Sequence, residues 1–220
     1  MKKIIVIILC IVFFLFLFYP FYTSGLPQSH DGEVITARIA AYKTAFMDGH
    51  IPPRWAGNLN YGYGTPVFIF YYPLIGYIGA LFALLGISYE IVFKMLLAVG
   101  MILGFFSWFI WIKNRFSKDI ALVSAILFIT SPYMLLNLYV RGDMGELFAL
   151  SWVPMVFYFL DRIAKHKTYA SVIFAGLSWG ILILLHNIVA LLFFPIFIIY
   201  LIYFFHCKNM QSKIFVILFT

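Results

Sequence analysis

Three short polar clusters hold the groups able to act as acid, base or ligand in this chain. They are Asp31 with Glu33, Arg141 with Asp143 and Glu146, and His186 with Asn187. A carboxylate such as Asp31 or Glu33 can take the proton of an acceptor hydroxyl as general base. Arginine presents a planar fork that matches phosphate oxygens, which makes Arg141 a candidate phosphate ligand. Asp143 and Glu146 are hard oxygen donors of the kind that hold a divalent cation such as Mg or Mn, and through it a phosphate-linked substrate. His30 beside Asp31, Arg54 beside Trp55, and the pair His186 and Asn187 complete the set as candidate substrate-binding residues, with Trp55 as a stacking surface. Each cluster also has a plainer reading. Asp31 suits a helix N-cap, Arg141 can pair with its own acidic neighbours, and His186-Asn187 can cap a helix at an interfacial turn.

The surrounding chain decides where such groups can sit. Hydrophobic residues make up 65% of the 220 positions, charged residues 10%, and mean hydropathy is +1.02. A soluble domain carries about 25% charge, and several apolar runs here reach the roughly 20 residues that cross a hydrocarbon core. The composition therefore specifies an all-α, polytopic membrane protein whose partner is the lipid bilayer. The net charge of +7 follows from Lys and Arg in short cytoplasmic loops and gives no reason to invoke nucleic acid. The two cysteines, Cys10 in an apolar run and Cys207 in a basic loop, form no disulfide framework or metal-thiolate spacing.

Taken in order, Met1-Lys2-Lys3 and the apolar run to Phe21 read as an uncleaved signal anchor with a cytoplasmic N-terminus in the cell membrane. Residues 22–65 form an extracytoplasmic loop. Within it, Ile35, Ile39, Tyr42 and Phe46 make a helical stripe, expected to lie apolar face down on the membrane surface. The segment Val67 to Ile87 is long enough to span, but a spanning helix would put the basic hinges at Lys113 to Lys118 and Arg162 to Lys167 outside. The preference for positive charge inside and the breaks at Pro73, Gly76 and Gly79 instead predict a re-entrant or interfacial segment over 66–88. Residues 89–220 then form a transmembrane bundle, with spans expected at Tyr89 to Ile112, Asp119 to Tyr139, Leu147 to Leu160, Tyr169 to Leu185 and Ile188 to Phe205. Another apolar segment begins at Ile214, so the chain reads as the N-terminal part of a longer protein. In this topology all three polar clusters converge on the outer face.

Several further segments carry a resemblance: His30-Asp31, Asp48-Gly49-His50-Ile51-Pro52-Pro53-Arg54-Trp55, Tyr61 to Phe68, Tyr71-Tyr72-Pro73-Leu74, Ser131-Pro132-Tyr133, and Arg141 to Glu146. The pattern resembles the GT-C class of membrane glycosyltransferases, and is more similar still to the membrane proteins labelled 6-pyruvoyl-tetrahydropterin synthase-related. The likeness runs from Met1 to about Phe205. It implies a GT-C-like helical bundle that transfers a sugar from a polyprenyl-phosphate donor at the outer face. Asp31 would match the first-loop acid that serves as base or metal contact, and Asp143 and Glu146 the acids of the second outer turn. That turn reads Arg-Gly-Asp-Met-Gly-Glu rather than an Asp-x-Asp pair, which departs from the metal-binding pattern. A reading from a different class, a transporter or lipid flippase of the cell envelope, draws on the intramembrane break at Pro73 to Gly76. Against it, the helices carry almost no polar residues at mid-membrane beyond Ser124 and Asn137.

Overall fold

The computed structural model describes residues 2–166 and 168–206. The expected apolar segment from Ile214, Cys207 and the last basic hinge lie outside the described residues. The described chain is helical, its only β contact being an isolated antiparallel bridge between Ala56 and Thr65. Helix α1 (Lys2–Leu17) passes into a 3-10 turn at Tyr19–Tyr22, and α2 (Gly32–Met47) follows. The segment after the Trp55 loop breaks into α3 (Val67–Phe70) and α4 (Leu74–Leu84). Then come α5 (Tyr89–Lys113), α6 (Lys118–Ile129), α7 (Pro132–Leu136) running into a π-turn at Asn137–Arg141, α8 (Met144–His166), α9 (Tyr169–Leu185) and α10 (Asn187–His206).

By length and apolarity, α5 and α8 are the helices able to cross a membrane among the described residues. A third candidate is the α6–α7 pair, bent by 45° at Thr130-Ser131. The other apolar runs expected to span form α1, α9 and α10, of 16, 17 and 20 residues. Pro154 and Pro195 lie inside α8 and α10, which continue through them.

The core is built on α5, which packs against both α6 and α8. Val92, Phe93, Leu96, Leu97 and Met101 of α5 are buried with Leu147, Phe148 and Val156 of α8. Gly100 and Gly104 allow the approach: a β-carbon at 104 would stand 2.8 Å from the Ser151 hydroxyl oxygen. Small residues at such contacts let apolar helices pack closely where no water drives them together.

One expectation is corrected here. The stripe Ile35, Ile39 and Tyr42 is buried against α4 and α5 rather than presented to lipid. Gly76 and Gly79 of α4 make room for it, since β-carbons there would stand 2.2 Å from the Tyr42 ring and 2.7 Å from Ile39. The periodicity identified the buried face correctly, but its cover is protein.

The two ends of α5 differ in chemistry. At its C-terminal end, Arg115 pairs with Asp161 of α8, and Lys165 donates to the Asn114 carbonyl at 3.1 Å, so the hinges 113–118 and 162–166 meet. At its N-terminal end Glu90 accepts from the Gly25 amide at 2.9 Å, and Phe93 lies under Gly32 and Gly142. With 25 residues rising 1.5 Å each, these ends are about 37 Å apart. Both ends of the 67–88 segment stay at the N-terminal end, with Tyr72 bonded to Asp143 and Ser88 capping α5. Helix α4 between them has 11 residues, or about 16 Å, against a hydrocarbon thickness of about 30 Å.

Candidate active site

The loop before α2 is sewn to the turn after α7 by backbone. The amide of His30 donates to the Val140 carbonyl at 3.0 Å, and that of Asp31 to the Arg141 carbonyl at 2.8 Å. This seam requires close approach. Gly142 adopts φ +67°, and a β-carbon there would stand 2.6 Å from the Ser29 hydroxyl oxygen; one at Gly32 would stand 2.5 Å from the same atom. Asp31 occupies the N-cap position of α2 but makes no capping hydrogen bond with its side chain. Its carboxylate therefore remains uncommitted among the described residues. Glu33 sits in the exposed first turn of α2.

Beside this seam Arg141 lies between two acids. It pairs closely with Glu146 and at 3.4 Å with Asp143. Asp143 also caps α8, accepting the Glu146 amide at 3.1 Å, where an anion meets the positive end of the helix dipole. Two tyrosines complete the cluster: Tyr72 donates to Asp143 at 3.2 Å, and Tyr133 donates to Glu146. Tyr72 approaches only because residue 145 is glycine, since a β-carbon there would stand 2.0 Å from the ring. Burial, and secondarily the Asp143 charge, push the Tyr72 hydroxyl well above its usual range, which keeps it protonated as a donor.

His186 joins from the α9–α10 junction and is buried, its ring 4.5 Å from that of Tyr72. Burial holds its pKa below the usual value, against the raising effect of Asp143 and Glu146. Its Nδ1 accepts the Val189 amide at 3.2 Å. In the neutral ring the proton then resides on Nε2, so His186 offers the cluster a donor. Arg141, Asp143, Glu146, His186, Asn187, Tyr72 and Tyr133 line one cleft of about 490 Å³.

Asp143, Glu146 and His186 present ligand atoms within 4.8 Å of one another, the spacing a cation would need. In this arrangement the same atoms are already engaged by protein donors. All four carboxylate oxygens already accept hydrogen bonds, from Tyr72, Tyr133, Arg141 and the Glu146 amide. His186 Nδ1 is taken by Val189, and Nε2 carries the proton. What these acids do in this arrangement is hold the guanidinium.

The expected single site is thus assembled only in part. The seam and the cleft unite His30 and Asp31 with Arg141, Asp143, Glu146, His186 and Asn187. Arg54 and Trp55 are exposed in the loop after α2, and Trp55 lies against the C-terminal half of that helix, at Ala41, Thr44 and Ala45, while Asp31 stands at its N-terminal end. Tyr72 and Tyr133 were absent from the expected set, although both belong to segments that carry the resemblance. Arg38 was missed as well: its guanidinium stacks on Tyr71 at 3.6 Å, one ring away from the cleft.

A family model described as "6-pyruvoyl-tetrahydropterin synthase related domain; membrane protein" matches residues 68–219. The chain belongs to this family. The matched region takes in α4 to α10 and the whole Arg141 cleft, while Asp31 and Trp55 precede it. A relative from Lactococcus lactis subsp. cremoris (strain MG1363), named "Uncharacterized protein", is 24% identical over 190 residues. That match covers 84% of this chain and 31% of the relative, so the chain spans about a third of the relative's length. No solved structure matches.

Proposed function

We propose that the Arg141 cleft and the adjoining Asp31 seam form the active site of a membrane glycosyltransferase of the GT-C kind. A sugar would pass from a polyprenyl-phosphate donor to an acceptor hydroxyl at the extracytoplasmic face. The observation that carries this reading is the backbone seam, which sets an uncommitted carboxylate beside an arginine fixed by two acids. Asp31 takes the acceptor proton as the hydroxyl attacks, and Arg141 meets the charge developing on the departing phosphate. Asp143 and Glu146 orient Arg141, and His186 and Tyr72 add neutral donors. Fixed donors aimed at developing charge are the kind of arrangement that lowers such a barrier. In this reading the cytoplasmic side is the opposite end of α5, where Lys113, Arg115, Lys118, Arg162 and Lys165 gather, in keeping with the preference for basic residues inside.

In the full-length protein, Asp31→Asn should abolish sugar transfer from a polyprenyl-phosphate donor while expression and melting temperature are unchanged. Full transfer by that variant would remove Asp31 from the chemistry and with it this reading. The divalent-cation alternative makes a different prediction, that chelation stops transfer. A transporter reading draws on the break at Tyr71 to Pro73. It would be favoured by solute uptake into vesicles carrying the reconstituted protein, without any transfer.

A further inference from the structure

A second cavity, of about 330 Å³, lies at the far end of α2. Its walls are Thr44 and Asp48 of the helix end, His50, and the loop residues Trp55 and Asn58. The loop is closed and preorganised. Ala56 and Thr65 exchange backbone hydrogen bonds at 2.9 and 3.2 Å, and the Leu59 carbonyl accepts the Gly62 and Gly64 amides at 3.2 and 2.9 Å. The indole of Trp55 is seated against Gly64, where φ is +78° and a β-carbon would stand 2.2 Å from Nε1. Even so, the residue keeps 53% of its surface exposed. Around it the Asp48 carboxylate, His50 imidazole and Asn58 amide have no side-chain partner among the described residues.

An indole held rigid and half open, ringed by an uncommitted acceptor, an amide and an imidazole, suits a ligand with an apolar face and a rim of hydroxyl groups. A sugar ring has that form: its C–H face lies on the aromatic plane and its hydroxyls reach the rim. An anion would meet the Asp48 charge, and an acyl tail would strip water from polar groups without replacing their hydrogen bonds. The volume falls in the range of small-molecule sites, about 300–1,000 Å³, and the fixed loop lowers the entropy lost on binding. We propose that this cleft is a saccharide-binding subsite, separate from the Arg141 cleft and set beside the C-terminal half of α2, with Asp31 at the other end of that helix. Calling the bound sugar the acceptor glycan rests on the glycosyl-transfer reading; the binding itself does not.

The test is saturation-transfer NMR on the purified full-length protein with methyl glycosides of glucose, galactose, mannose and N-acetylglucosamine as probes. At least one should bind, Trp55→Ala and Asp48→Asn should each weaken it about tenfold or more, and Trp55→Phe should retain much of the affinity. Arg141→Ala should bind as the parent does while losing transfer, which keeps failure at the two sites distinguishable. No binding by the parent, or unchanged binding in Trp55→Ala, overturns the proposal. So does binding of choline in place of every glycoside, which would make this an amine site. Quenching of Trp55 fluorescence by brominated lipid, assigned by difference against Trp55→Phe, also overturns it, since the indole would then be an interfacial anchor.

Discussion

Gly145→Ala probes the cleft through a contact no charge change would disturb. The added methyl would stand 2.0 Å from the Tyr72 ring, so ring or helix must move by more than an ångström to restore van der Waals contact. The Tyr72–Asp143 hydrogen bond, already 3.2 Å long, does not survive such a shift. Overpacking of this kind costs about 1–3 kcal/mol, offset by up to about 1 kcal/mol that alanine gains over glycine in a helix. The net expectation is a loss of about 1–2 kcal/mol. At about 2–4 °C per kcal/mol for a chain of this size, that is a drop of roughly 2–8 °C in melting temperature. The deciding experiment is a double-mutant cycle with Tyr72→Ala, read by thermal unfolding of the purified protein in detergent. With the ring removed, the three atoms nearest the methyl at 145 are gone, so Gly145→Ala should cost less in that background. A coupling of about 1 kcal/mol or more is expected. Additive effects would mean that Tyr72 does not lie over Gly145, and the cleft as described would be wrong.

Further outcomes follow from the same geometry. Asp161→Asn should destabilise by about 3 kcal/mol in denaturant titration, the low end for a broken buried pair because Arg115 can turn to solvent; Tyr200→Phe, losing the hydroxyl's bonds to both Asp161 and Arg115, should cost about 1–3 kcal/mol. Gly142→Ala should open the seam, since the residue must hold φ +67° against Ser29; proteolysis within residues 22–31 should then accelerate while the rest of the bundle stays protected. Chelation should leave any sugar transfer intact within twofold or so, whereas Arg141→Lys, which cannot hold both acids through one planar fork, should reduce it by about tenfold or more.

How far the sequence could be read depended on the range of the interactions. Apolar length and 3.6-residue periodicity are local, and they located α5, α9 and the buried stripe of α2. Whether protein or lipid covers that stripe is set by Gly76 and Gly79, more than thirty residues on, and periodicity carries no information about it. Asp161 carries no local signal of its role, because its partners Arg115 and Tyr200 lie 46 and 39 positions away. Tyr72 and Tyr133 could not be distinguished among 15 tyrosines until folding placed their hydroxyls on Asp143 and Glu146. Trp55 was grouped with Asp31 because the two share a loop in sequence, whereas α2 stands between them as a rigid spacer.

The claim on which the rest depends is that the Asp31 seam, the Arg141 cleft and His186 share the outer face, with the basic hinges opposite. Impermeant thiol labelling of intact cells tests it, using single cysteines in a background lacking Cys10 and Cys207. His30→Cys, Ser88→Cys and Asn187→Cys should label from outside, while Ser117→Cys and Lys165→Cys should label only after permeabilisation. Labelling of Ser117→Cys together with His30→Cys in intact cells would place a membrane crossing between residues 67 and 88, put Arg141 on the other face from Asp31, and contradict the account.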